Sequence, residues 1–170
     1  GFAFSVVAGA FLLHVMPPIE AVPLMMACSI LVQGVSLVIL RNSMRWRGSL
    51  GYIMGGALGI PPAIYLLHHA DTWTFRVGFG WFLAAYAAYM FFRPEAAYLR
   101  DVQSRLRDAA VGFAGGLVGG LTAMPGALPT VWCDLRGLAK DHQRGLIQPF
   151  IAAMQCMALA LLAPAGGFSP

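Results

Sequence analysis

The residues of this 170-residue chain whose types and spacing offer chemistry are Gln33, Thr122, Met124, Pro125, Gly126, Pro129, Thr130, Arg144 and Gln155. Amides, hydroxyls and a guanidinium are hydrogen-bond donors, and the set holds no carboxylate, thiol or imidazole. Such a set suits the holding of an anion rather than the breaking of a bond. Between Ala123 and Thr130, two prolines and a glycine follow one another too closely for a helix to continue, so backbone N–H groups are freed there. Freed amides at the start of a half-helix attract anions through hydrogen bonding and through the helix dipole. Thr122 and Thr130 add hydroxyl donors.

Gln33 and Gln155 are amides in otherwise apolar stretches, and two readings stand for them. One is an interhelical hydrogen bond, worth roughly 1 kcal/mol in a membrane. The other is contact with an oxyanion, to which an amide donates without the cost of a buried charge. Gln148, seven residues before Gln155, lies on much the same helix face and extends a polar stripe. Arg144 reads first as an interfacial anchor and second as an anion-attracting group at a vestibule.

Catalytic and metal-binding patterns do not occur. There is no GxSxG elbow, no HExxH and no carboxylate pair inside an apolar run, so the chain does not read as an enzyme and no cofactor or metal is implied. His68, His69 and Asp71 form a short polar turn rather than a ligand set. Cys28, Cys133 and Cys156 are isolated from one another and read as small apolar packing residues.

The elements that must position these donors are membrane helices. Hydrophobic residues make up 59% and charged ones 11% of the sequence, against about a quarter charged in a soluble domain. All Lys, Arg, Asp and Glu lie outside five apolar runs, 21–40, 48–67, 77–92, 109–133 and 145–163. Each is near the roughly 17–25 residues of a spanning helix, the third being extended by Trp73 and a snorkelling Arg76. The net charge of +4 is spread over short loops, which excludes a nucleic-acid face. Residues 1–16 are apolar without an initiator Met or a basic leader; they read as the remainder of a helix, and the chain as a piece of a longer protein.

Orientation follows from the basic loops. RNSMRWR, at 41–47, and the loop 93–108, with four arginines against three acids, are both assigned to the cytoplasm. HHADTW, between the third and fourth helices, belongs outside. The fate of the stretch GFAGGLVGGLTAMPGALPT, at 112–130, then decides the loop 136–145. That loop is external if the broken stretch crosses, and internal if it re-enters and turns back. Gly112, Gly116 and Gly120, four apart, make a close-packing face of the small-xxx-small kind.

A faint internal repeat is present. Setting Gln33 over Gln155 aligns ILVQGVSLVIL with AAMQCMALALL and Val7–Leu13 with Pro129–Leu135. Duplicated halves with a site between them at mid-membrane are a transporter pattern. The succession of GGLVGGLTAMPGALP, a short apolar run, RGLAKDHQR and a following helix resembles the second repeat of the TauE/SafE family. VQGVSLVILRNSMRWRGSLGYIMGGALGIPPAIYLL likewise resembles that family's first repeat. The family's second glycine motif continues into a Gly-Gly-Pro-Pro-like segment; here Met124-Pro125-Gly126-Ala127-Leu128-Pro129 stands, which keeps the break and changes its lining.

The resemblance implies an all-α polytopic helix bundle of two tandem repeats of about four spans, roughly six of which are represented. Residues 1–108 would be the first repeat and 109–170 the start of the second. It also implies a permease or exporter of the bacterial inner membrane, whose partners are the lipid bilayer and a small anionic substrate, sulfite, a sulfonate or a related organosulfur anion. The alternative class is a non-transporting membrane scaffold or assembly factor whose glycines only pack helices.

Overall fold

In the computed structural model the described residues are 2–40, 44–92 and 104–162, and they form helices throughout, without a strand. The order is α1 (Phe2–Val15), α2 (Pro18–Leu40), α3 (Trp46–His69), α4 (Thr72–Phe91), α5 (Arg105–Thr122), α6 (Ala127–Leu135) and α7 (Lys140–Leu162). Residues 41–43 of the first basic loop and 93–103 of the second lie outside the described residues. The remainder of the second loop, from Arg105, is the first turn of α5.

Among the described residues three helices are long and apolar enough to cross a membrane: Pro18–Ser36, Trp46–His69 and Lys140–Leu162. They take up three of the five apolar runs. The run 77–92 lies in α4, whose first turns carry Thr72, Thr74 and Arg76. The run 109–133 is divided between α5 and α6, because the chain leaves helical geometry at Ala123.

Glycines draw α3 and α5 together. A Cβ added at Gly112 falls on the backbone of Tyr52, one at Gly116 on that of Gly56, and one at Gly55 on that of Ala109. The paired positions rise together along both helices, so α3 and α5 run parallel with their backbones in contact. The face formed by Gly112 and Gly116 therefore packs helices, as its spacing predicts. The prolines of α3, Pro61 and Pro62, sit inside a continuous helix.

Against this pair lies α7, with Phe150 and Met154 buried over Gly56 and the Phe150 ring edge-on to Tyr52 at 6.3 Å. It also runs parallel to α3, since the Arg45 N–H donates to the Gly145 carbonyl at 2.9 Å and Met154 lies further along. α2 descends beside α7 in the opposite sense: Ser29 meets Gln155 and Gln33 meets Gln148. Met25, Met26, Ile60, Met124, Phe150 and Met154, all nearly inaccessible, fill the core between them. α4 begins at Asp71, whose carboxylate accepts the Thr74 N–H at 2.8 Å as an N-cap. That bond holds the Asp71 carboxyl below its ordinary value.

The broken stretch turns back. α5 rises from Arg105 to Thr122, about 27 Å for 18 residues. α6 returns beside it, with Pro125 and Pro129 packed on Gly115 and Gly119. At its far end the Arg136 guanidinium reaches Asp108 in the first turn of α5 at 3.3 Å. The two ends of the α5–α6 hairpin thus lie at the same end of the bundle. Arg45, Arg105, Arg136, Lys140 and Arg144 gather there on the starts of α3, α5 and α7 and the end of α6. Of the two fates open to the stretch 112–130, the return is the observed one, and the loop 136–145 shares an end with Arg45 and Asp108.

Candidate functional site

At the tip of the hairpin the chain makes one sharp adjustment. Ala123 caps α5 at φ 59° and ψ 22°, the one non-glycine with positive φ among the described residues. Left-handed geometry costs an L-residue roughly 1–2 kcal/mol, and such strain gathers at functional positions. The Ala123 methyl is also buried, at 1% exposure. Its removal in Ala123→Gly forfeits packing worth about 0.8 kcal/mol while relieving comparable strain. The expected change in stability is within about 0.5 kcal/mol by thermal unfolding in detergent, whereas Ala123→Val, branched at Cβ, should lose about 1–2 kcal/mol.

After Ala123, the Ala127 N–H donates to the Met124 carbonyl at 3.3 Å, and α6 begins. Pro129 falls in its first turn, where a missing N–H breaks no helical bond. The N–H groups of Met124 and Gly126 find no carbonyl acceptor among the described residues.

Residues 123–126 share a cavity with polar side chains from two other helices. Ser29 and Gln33 of α2, Gln155 and Ile151 of α7, and residues 123–126 enclose it, and its volume of about 20 Å³ is room for about one water. Gln155 Nε2 donates to Ser29 Oγ at 2.8 Å, while Gln155 Oε1 is buried with no partner. Gln33 Nε2 donates to Gln148 Oε1. The glutamines therefore do not bond each other; each pairs across the α2–α7 interface with a different residue. No acidic side chain lines the cavity.

The remaining donors fare differently. The Thr122 hydroxyl donates to the Val118 carbonyl at 2.7 Å and the Thr130 hydroxyl to the Gly126 carbonyl at 2.6 Å. Both are spent on their own helices, because a threonine in a helix reaches the carbonyl four residues back. Thr122 instead borders an apolar hollow of about 310 Å³ with Phe75 and Phe79. Pro129 is buried against Gly115 outside the cavity. Arg144 is exposed at the basic end, about 16 Å along α7 from Gln155.

Two contributors stand out less in the sequence. Ser29 precedes Gln33 by one helical turn, and that i, i+4 spacing is the signal for a shared face. Asp108 reads as part of a loop, yet its Oδ1 accepts from Tyr52 Oη at 2.8 Å, Trp132 Nε1 at 3.0 Å and Arg136 Nη1 at 3.3 Å. It pins the root of the hairpin to α3. Gln143 adds a second tie, donating to Asp134 at 2.8 Å and to the Leu138 carbonyl at 2.9 Å.

A hairpin of one long and one short helix, its non-helical tip set beside amide side chains of two helices long and apolar enough to cross a membrane, is a transporter-like arrangement. The family model of the sulfite exporter TauE/SafE matches residues 1–170. The chain belongs to the TauE/SafE family. Membership places this TauE/SafE chain among membrane transporters. Among curated proteins and among solved structures nothing matches it.

Proposed function

We propose that this TauE/SafE protein moves a small sulfur oxyanion, sulfite or an organosulfonate, across the bacterial inner membrane by alternating access around the break at 123–126. The observation that carries this reading is the convergence of the non-helical residues 123–126 with Ser29, Gln33 and Gln155 on one small, acid-free cavity. An oxyanion there meets neutral donors and the start of α6, which stabilise charge without a buried counter-ion. The orphaned Gln155 Oε1 fits a site awaiting a ligand: turning the amide end for end lets Ser29 donate to Oε1 and presents Nε2 to the cavity.

Room for one water is too little for a sulfonate, so binding requires the α5–α6 hairpin to part from α2 and α7. Ala123 is the natural pivot. With the basic end in the cytoplasm, Arg144 belongs to the approach on that side rather than to the cavity. The antiparallel crossing of α2 and α7, with Gln33 and Gln155 matched by the repeat, supports two repeats meeting at the site.

The test is saturable sulfite or sulfonate flux into proteoliposomes. Gln155→Leu removes a donor to an anion, a bond of about 1.5–3 kcal/mol, and flux should fall about tenfold to a hundredfold, while stability falls by no more than about 1 kcal/mol for the lost Ser29 bond. Gly126→Ala, whose methyl meets the Ile151 Cδ1 atom at 2.6 Å, should slow it as well. Wild-type flux in both folded variants would remove the cavity from the pathway. No saturable flux in the parent protein would favour the scaffold reading.

A further inference from the structure

A second polar feature lies at the basic end, about 15 Å along α7 from Gln155 and separate from the cavity. A groove of about 470 Å³ opens between the starts of α3 and α7, walled by Arg45, Arg47 and His142, edged by Trp46 and floored by Leu146 and Gly48. We infer that this groove binds a phosphate group at the bilayer surface, carried by an anionic phospholipid or by a soluble phosphate ester.

Its base is built rather than incidental. The Arg45 N–H donates to the Gly145 carbonyl at 2.9 Å and the Ser49 hydroxyl to the Leu146 carbonyl, so two cross-helix bonds lock α3 to α7 directly beneath the cationic side chains. Gly48 brings the backbone against the end of the Leu146 side chain, which an added Cβ would displace. No carboxylate lines the groove, and the Asp108 carboxylate at this end is taken by Arg136. Among the described residues Arg45 and Arg47 have no ion pair.

The chemistry of the walls selects phosphate. Guanidinium groups bind phosphate oxygens bidentately, and the imidazole adds a third donor. Trp46, 55% exposed, sits beside them as an interfacial aromatic at headgroup level does. Leu146 offers an apolar floor to a glycerol backbone. Basic pockets between membrane helices bind phospholipid headgroups in this manner.

Native mass spectrometry of the whole chain, released from nanodiscs of mixed phosphatidylcholine and phosphatidylglycerol, tests the inference. Phosphatidylglycerol should be retained over phosphatidylcholine, and Arg45→Gln with Arg47→Gln should weaken retention about thirtyfold, two surface cations' worth. His142→Gln, which leaves both arginines, should weaken it severalfold. Arg105→Gln with Arg107→Gln removes the same charge outside the groove and should leave retention unchanged. A parallel titration with glycerol 3-phosphate separates the sources. Binding as tight as the lipid's assigns the groove to soluble phosphate esters, and retention of lipid alone assigns it to the membrane. Equal loss in the two double variants would mean diffuse surface charge and overturn the site, as would failure to prefer either anionic phosphate ligand over phosphatidylcholine, whose phosphate is offset by its own choline.

Discussion

Asp108→Ala is expected to cost about 3–5 kcal/mol, because it leaves Arg136 charged and buried without its partner. The side chains of Arg136 and Asp108 are only 9% and 21% exposed, and Arg136 Nε has no partner of its own. Tyr52 and Trp132 lose their acceptor in the same substitution. Three helices, α3, α5 and α6, meet on this one carboxylate, so the loss should loosen the root of the hairpin first. Asp108→Asn keeps an acceptor oxygen and should cost less. Pairing Asp108→Ala with Arg136→Met removes the stranded charge and should recover part of the loss. Reversible unfolding in mixed micelles measures all three. A double variant no better than Asp108→Ala alone would show that the ion pair is not the source of the effect.

The second large effect is at the α3–α5 contact. Gly116→Ala places a methyl on the carbonyl oxygen of Gly56, a backbone atom that no rotamer change can move away. Overpacking of this kind costs about 1–3 kcal/mol, and Gly116→Leu should prevent assembly of the pair. Gly78 and Gly80 of α4 provide the control, since a Cβ at either meets nothing within 4 Å. Gly78→Ala should be neutral or stabilising by about 0.5–1 kcal/mol, the helix preference for alanine over glycine. If Gly116→Ala and Gly78→Ala unfold at the same denaturant concentration, the two helices are not in backbone contact.

The helical class was legible in the sequence because apolar runs without charge leave few alternatives in lipid. The break was legible for an equally local reason. Pro125, which has no N–H and disfavours helical geometry in the residue before it, and the flexible Gly126 keep α5 from continuing, while Pro129 suits the first turn of the next helix. That Gly112 and Gly116 form a packing face followed from their four-residue spacing, whereas α3 as the partner came from the structure. By contrast, Thr122 and Thr130 look like donors in the sequence and are spent on their own helices, because a hydroxyl's choice between ligand and backbone is made by the local turn. The pairing of Gln33 with Gln148, and of Gln155 with Ser29, depends on how α2 crosses α7 and has no local signature.

The sequence by itself determined the membrane class and that the helix breaks just after Thr122; the structure confines the break to 123–126, since residues 127–130, expected to be part of it, already belong to α6. Only the tertiary structure decided that the chain turns back after the break, bringing Arg136 to Asp108 and the loop 136–145 to the end that holds Arg45. The reason is range. A helix ends where a few neighbouring residues forbid the next bond, but its direction afterwards is set by what the following helix can bury. For α6 those partners are Gly115, Gly119 and a carboxylate some twenty-eight residues before Arg136.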